Sequence, residues 1–390
     1  MQAGLIALCF GYVLSQFFRA FLAVLSPVLD QDLGAGADDL AFASGMWFLS
    51  FAAMQIPVGE ALDRVGPRKT AAVLLLIGGA GGSLVFAMAT TPFHINIAML
   101  LIGIGCSPVL MASYFIFARQ YPPARFATLA ATMLGVGSVG NLVASYPTAL
   151  AADLVGWRMT LVGMAVASAL VAFGIWCAVK DPEKVEQASG GSVLNVLRIP
   201  ILWTIFPLML VLYAPSAAIR GLWIGPYLGD VYGLGTAQIG TASLVMGLAM
   251  ILGTFFYGPL DRILGTRKWV IMAGNILCLV LIGALLLWID RSVVLAIALI
   301  AALGFLGASF PVLVAHGRAF VPPHLVGRGV TLLNLFGIGG VGLMQFVTGR
   351  MHSANVDAGA TAPYAAIFGF FAIALAVGSV IYLFSRDSLD

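Results

Sequence analysis

Two stretches of this chain repeat a set of side chains suited to holding an anion. Tyr12, Ser15 and Arg19 form one set; Tyr213, Ser216 and Arg220 form the other, with the same Tyr-x-x-Ser-x-x-x-Arg spacing. On a helix, residues at i, i+3 and i+7 share a face, so each stretch is expected to present its three side chains along one stripe. Both stretches lie inside long apolar runs, 5–29 and 201–224. An arginine within a hydrocarbon layer costs roughly 3 kcal/mol or more, so it is read as functional by default. Its guanidinium is a rigid fork of donors that fits carboxylate or phosphate oxygens bidentately. Of the 16 Asp and Glu residues, none falls well inside an apolar run; Asp30 and Glu60 sit at run ends. A buried charge needs a partner. With no protein carboxylate to supply it, a bound anion is the expected one. The alternative is a structural role, each guanidinium solvated in a wet cavity and bonded to helix carbonyls.

Composition fixes what must carry these stripes. The chain has 390 residues, 61% hydrophobic and 9% charged, with a mean hydropathy of +1.04. Soluble domains carry about 25% charged residues, so this chain is read as a polytopic membrane protein. A spanning helix needs about 20 apolar residues. Twelve runs qualify: 5–29, 40–61, 70–89, 95–118, 127–151, 159–179, 201–224, 238–258, 269–289, 293–315, 329–349 and 363–384. The first is too long for a signal-peptide core and has no basic lead-in, so no cleaved leader is expected. If the N-terminus is cytoplasmic, 14 of the 19 Lys and Arg residues lie on the inside and only Arg158, Arg291 and Arg350 lie outside. That asymmetry obeys the positive-inside rule and places both termini in the cytoplasm. The first outside loop is acidic, with Asp30, Asp32, Asp38 and Asp39. Cys9, Cys106, Cys177 and Cys278 show no disulfide or zinc spacing. No nucleophile–base set, metal cluster or nucleotide loop is visible, so neither an enzyme nor a cofactor is expected, and nothing points to nucleic acid.

The two halves repeat. Gly59, Asp63, Arg64, Gly66, Arg68 and Lys69 follow the second run; Gly258, Asp261, Arg262, Gly265, Arg267 and Lys268 follow the eighth. Arg119 with Pro122 and Pro123 follows the fourth run, and Arg318 with Pro322 and Pro323 the tenth. The fifth and eleventh runs are both glycine-rich, with Gly135, Gly137 and Gly140 in one and Gly337, Gly339, Gly340 and Gly342 in the other. One offset of about 200 residues relates every pair, as expected of parallel repeats. The chain therefore divides into a six-helix bundle over 1–179, a polar cytoplasmic linker over 180–199 carrying Lys180, Asp181, Glu183, Lys184, Glu186, Gly190 and Gly191, and a second six-helix bundle over 200–390.

The two loops resemble the signature of the major facilitator superfamily between its helices two and three, and that signature's weaker copy between helices eight and nine. The second copy here has one extra residue. The resemblance implies an all-α fold of twelve transmembrane helices in two bundles related by a pseudo-two-fold axis. It also implies that the loop residues brace the cytoplasmic helix ends in one transport state, and that the protein works as a monomer in lipid. The arginine positions resemble those of the organophosphate:phosphate antiporters, which bring one arginine from helix one and one from helix seven to a central site. Several sugar-acid carriers also use a helix-one arginine. The glycines of the fifth and eleventh runs distantly resemble the nitrate porters, but those place their arginines in helices two and eight, and runs two and eight have none. The Gly-Pro signature of drug exporters is absent from the fifth run, where Asn141 follows Gly140. A transporter-like sensor is a remote alternative.

The expectation is a secondary transporter of a small organic anion, a phosphate ester or a carboxylate, in a bacterial inner membrane. The anion is held between Arg19 and Arg220, and the halves rock around it. An anion relieves the repulsion of the two arginines and so favours switching, the logic of an exchanger. The absence of a well-placed core carboxylate or histidine argues against tight proton symport; a proton-coupled monocarboxylate or sugar-acid symporter is the alternative. Tyr12, Tyr213, Ser15, Ser216, Gln16, Asn141 and Asn334 are the further binding candidates. Phe17, Phe18, Phe21, Trp47 and Trp223 are expected to pack or to meet lipid.

Overall fold

The computed structural model describes residues 2–121, 123–183, 193–322 and 325–389. The linker portion with Lys184, Glu186, Gly190 and Gly191 lies outside the described residues, as do Pro122, Pro323 and the side chain of Arg125. Every span is helical and no strand occurs among the described residues. In hydrocarbon a backbone must satisfy its own N–H and C=O groups, which leaves the helix as the default for apolar runs of this length.

Among the described residues, ten helices are long and apolar enough to cross a membrane, and two bent pairs, each taken as one span, raise the number to twelve. The spans are Ala3–Phe17 with Phe21–Leu33, Ala37–Arg64, Pro67–Ala87, Pro92–Gln120, Leu129–Val143 with Tyr146–Val155, and Trp157–Ala178. They continue with Pro200–Tyr232, Thr236–Leu264, Lys268–Leu287, Val293–Arg318, Arg328–Ala358 and Ala362–Tyr382. They match the twelve apolar runs one for one. The loop before the second span is shorter than the sequence implied: Asp38 and Asp39 belong to that span's first helical turn, where a helix N-terminus favours acidic groups.

The chain forms two compact units, Met1–Glu186 with Gly235–Thr241, and Gln187–Leu234 with Ala242–Asp390. In the first, Leu8, Val58, Leu62, Leu75, Val109 and Ile175 belong to one buried cluster. Glycines set the closest helix approach in each unit. A Cβ at Gly140 would overlap the Val13 carbonyl, and one at Gly137 the Tyr12 ring, so the fifth span lies directly on the first. In the second unit a Cβ at Gly340 would overlap the Leu210 carbonyl, and one at Gly337 the Phe310 ring. The eleventh span thus lies on the seventh as the fifth lies on the first.

The first and seventh spans are not the continuous α-helices expected from the sequence. The first helix ends at Phe17, Phe18–Ala20 form a turn, and the axis bends by 49°. The turn closes with Arg19 N–H to the Gln16 carbonyl (3.4 Å) and Ala20 N–H to the Phe17 carbonyl (3.0 Å), both one residue tighter than α. Aromatic packing holds it: Phe17 stacks on Phe21 at 5.5 Å, Phe18 meets both edge-on, and Phe21 meets Phe86 at 5.5 Å. In the seventh span Pro215 lacks the N–H that would continue the helix. The α segment Phe206–Leu212 accordingly stops before it, and after Ala214–Ala218 the chain widens into a π-helix over Ile219–Trp223. Arg19 and Arg220 therefore both sit where regular α geometry is interrupted, and such interruptions are frequent at functional sites.

The glycine contacts give a testable contrast. Gly140→Ala should destabilise the protein by about 1–3 kcal/mol through overpacking against Val13. Gly135→Ala, where a Cβ meets nothing within 4 Å, should leave the melting temperature unchanged or slightly raised. Thermal unfolding of the two variants in detergent distinguishes them.

Candidate functional site

In the first unit the site is built around Arg19. Its guanidinium carbon lies 5.2 Å from the Trp47 ring centre and 4.9 Å from that of Phe51. Those rings, one turn apart on the second span, stack on each other at 5.1 Å and 16°. A cation over aromatic faces gains about 0.5–2 kcal/mol, so the pair holds the guanidinium without neutralising it. Arg19 forms no salt bridge among the described residues. Its Nε is buried with no hydrogen-bond partner, and so is the indole N–H of Trp47. Buried donors without acceptors are uncommon, and here two occur on adjoining side chains.

Other first-unit candidates gather unevenly. Tyr12 is buried and accepts a hydrogen bond from Gln16 Nε2 at 3.0 Å. Ser15 is buried. Asn141 is half-buried on the fifth span, and its backbone carbonyl accepts from Ser145 Oγ at 3.0 Å.

In the second unit Arg220 is only 2% exposed. Gln345, Thr348 and His352, spaced i, i+3 and i+7 on the eleventh span, face its segment of the seventh. Gln345 Nε2 donates to the Ala218 carbonyl at 3.5 Å, Trp223 Nε1 donates to Thr348 Oγ1 at 3.1 Å, and the His352 ring lies 5.5 Å from that of Trp223. Tyr213 packs on Phe310 at 5.0 Å. Ser216 is buried and donates to the Leu303 carbonyl at 3.3 Å. Asn334 is half-buried on the eleventh span.

The two signature loops share a device. Gly66 takes φ +102, and a Cβ there would press on the Asp181 carboxylate at 2.8 Å. That carboxylate accepts from the Arg68 N–H at 2.8 Å. Arg119 reaches Asp63 at 3.3 Å and the Glu183 carbonyl at 3.3 Å, while Arg64 pairs with Glu60 at 2.7 Å within one exposed helix turn. Gly59, half-buried, precedes this set by one turn. In the second unit Gly265 has φ +66, Arg262 is exposed, and Arg267 Nε meets Asp261 at 3.0 Å. Asp387 beyond the twelfth span accepts from Thr266 Oγ1, the Arg267 N–H (3.2 Å) and the Lys268 N–H (3.0 Å). Lys268 Nζ in turn donates to the Leu383 and Ser385 carbonyls. An aspartate that follows the last span of each unit thus caps the helix that begins after the signature loop.

Profiles of known families identify the architecture. The description "Major Facilitator Superfamily" matches residues 8–222, more than half of the chain. The chain belongs to this superfamily. It is an integral membrane protein of a transporter family, not an enzyme. It is 24% identical over 268 residues to the sialic acid transporter NanX of Escherichia coli (strain K12), covering 66% of this chain and 64% of that protein. It is 21% identical over 299 residues to a putative tartrate transporter of Agrobacterium vitis, covering 68% and 66%. The match thus spans a little under two thirds of each relative's own length. The fold is shared with the nucleoside transporter NupG, at a TM-score of 0.76 and 16% identity over 98% of this chain and 98% of that one.

Two features have no signal in the sequence alone. The stacking of Arg19 on Trp47 and Phe51 depends on the turn at Phe18–Ala20, which nothing local announces. His352 falls beyond the eleventh apolar run, which ends at 349, whereas the helix continues through the polar residues that follow.

The Asp387 cap sets a pH dependence. Burial pushes its carboxyl up, but hydrogen bonds from Thr266, Lys268 and Arg267 outweigh that and leave it below the usual carboxylate range. A lowered folded value means the cap's stabilisation is complete above the unfolded value of about 3.9 and is lost as pH falls through the folded one. Asp387→Asn should therefore melt below wild type near neutral pH. The gap should be flat above about pH 5 and close as pH drops below about 4. A pH series of thermal melts measures it.

Proposed function

We propose that this chain is a secondary transporter of a small organic acid, whose carboxylate is bound by the guanidinium of Arg19 and also by that of Arg220. The observation that carries the reading is the Arg19 site. A cation is held on the stacked Trp47 and Phe51 rings with no acidic partner among the described residues and a buried Nε lacking an acceptor. A carboxylate satisfies both the charge and the donors, and a charge-assisted pair of this kind contributes about 1.5–3 kcal/mol. The two relatives named above are described as transporters of sialic acid and of tartrate, and both compounds carry carboxylates.

The repeats over 1–179 and 200–390, joined by 180–199, are the moving parts of an alternating-access cycle. The Lys and Arg asymmetry favours both termini in the cytoplasm, and the bacterial sources of the relatives favour a bacterial inner membrane. Tyr12, Ser15, Gln16, Asn141, Tyr213, Ser216 and Asn334 are secondary contributors, and the protein acts as a monomer. A second reading, exchange of phosphate esters, is favoured by one arginine in each repeat at matching positions, since two guanidiniums suit a dianion.

Thermal stability of the purified protein tests both. Ligands are L-tartrate, sialic acid, glycerol 3-phosphate and inorganic phosphate, each with wild type, Arg19→Lys and Arg220→Lys. A ligand at 100 times its Kd adds about 2.7 kcal/mol to apparent stability. The expected result is a clear rise with at least one carboxylate in wild type and none in Arg19→Lys. A rise with the phosphate compounds alone selects the second reading. A rise of equal size in wild type and both variants contradicts anion binding by the arginines.

A further inference from the structure

His352 is 8% exposed near the end of the eleventh span, and the anion site described above makes no use of it. Ionisable side chains inside membrane spans are costly and mark ion or proton pathways. Its surroundings are specific. The ring lies 5.5 Å from Trp223 at 30° and 5.6 Å from Tyr364 at 65°, so two aromatic faces enclose it. Tyr364 is fully buried and its hydroxyl donates to the carboxylate of Asp230, which is exposed at the end of the seventh span. On the other side, Trp223 shares the π-helical turn of the buried Arg220. The polar strip Thr348–Gln345 fastens that turn to His352's own helix. A titratable ring thus packs on Tyr364, which is bonded to an exposed carboxylate, and on Trp223, which shares a turn with a buried guanidinium, all within one unit.

Among the described residues, the charged groups on the elements around it include Asp357, on the 3-10 turn Val356–Ala358 that follows His352's own helix. Arg220 comes from the seventh span's π turn, with Asp230, Tyr227 and Tyr232 further along that span. Tyr364 comes from the twelfth span, its ring 5.3 Å from that of Tyr227. Arg350 lies on His352's own helix.

We propose that His352 is the proton-binding residue of this transporter, loaded from the face where Asp230 is exposed and linked to anion binding through Arg220. The inference rests on the reading that Arg220 binds the anion. An imidazolium packed on Trp223, three residues from the buried Arg220 on one π-helical turn, adds a second positive charge to the same buried region, which disfavours it when no anion is bound. A bound anion offsets both charges, so the proton and the anion favour each other. The coupling is reciprocal: anion binding raises the affinity for the proton by the factor by which the proton raises that for the anion. Imidazoles titrate between about pH 5 and 8, the range in which a proton gradient works. The proton comes from water, resides on a ring nitrogen and returns to water on the opposite face; no other bond changes.

The test is proton uptake on anion binding, followed in weakly buffered detergent solution near neutral pH. L-tartrate and sialic acid are the probes, and their binding is measured separately by thermal shift. Wild type should take up protons when either compound binds. His352→Gln should bind the same compound with at least fivefold less uptake. If that variant does not fold, Tyr364→Phe keeps the ring, removes the contact with Asp230 and should lower uptake at least twofold. Anion binding without proton uptake in wild type overturns the inference and leaves the anion reading intact. Unchanged uptake in His352→Gln, or in Tyr364→Phe where that is the variant measured, also overturns it. Failure of wild type to bind either compound overturns the anion reading and this inference together.

Discussion

A positive charge that no acidic side chain among the described residues neutralises organises this molecule. Arg19 lies within the first membrane span, where an unpaired guanidinium is among the more expensive groups a chain can carry. The protein supports it by turning the backbone at Phe18–Ala20 and laying the side chain on Trp47 and Phe51. Aromatic faces stabilise a cation without removing its need for an anion. A carboxylate in the same place would have formed a salt bridge, ended the need for substrate and left an inert helix contact. The arrangement is coherent as a binding site and costly as a purely structural one.

The remaining architecture serves to hold irregular backbone inside a membrane. A break in a spanning helix is tolerated only where neighbours cover it. Gly140 brings the fifth span onto the first, and Gly340 brings the eleventh onto the seventh, at backbone-contact distance. Outside the membrane, Asp181 and Asp387 tie the end of each unit's last span to its signature loop. The same device occurs in both units although the residues around it differ. Arg119 braces the first loop, whereas the carbonyls of Leu383 and Ser385 hold Lys268 in the second.

Much of this was legible in the sequence because the bilayer imposes strong patterns. Apolar run length located all twelve spans, and the repeated loop residues identified the superfamily. Arg19 and Arg220 stood out because charge is rare in such runs. What could not be read depends on packing between segments distant in sequence. The turn at Phe18–Ala20 is held by Phe17, Phe18 and Phe21 packing on one another, with Phe21 also meeting Phe86 on another span. The shared helical face expected for Tyr12, Ser15 and Arg19 assumed an unbroken helix, and the turn at Phe18–Ala20 interrupts that helix at Arg19. Hydropathy ends the eleventh span at 349, but backbone hydrogen bonding carries the helix through Arg350 and His352 to Asn355. A buried histidine therefore falls outside the run that predicts the span. The aspartates after the sixth and twelfth spans lie in segments whose composition reveals only polarity.

The central claim is that Arg19 recognises the negative charge of its substrate. It is tested most directly by comparing the affinity of wild type for L-tartrate with that for its uncharged diamide, which keeps the shape and both hydroxyl groups. A lost charge-assisted pair is worth about 1.5–3 kcal/mol, so the acid should bind at least about tenfold more tightly. That preference should shrink several-fold in Arg19→Lys and further in Arg19→Gln. Equal affinity of wild type for the acid and the diamide would contradict the account, and Arg19 would then be a structural residue of the bent first span.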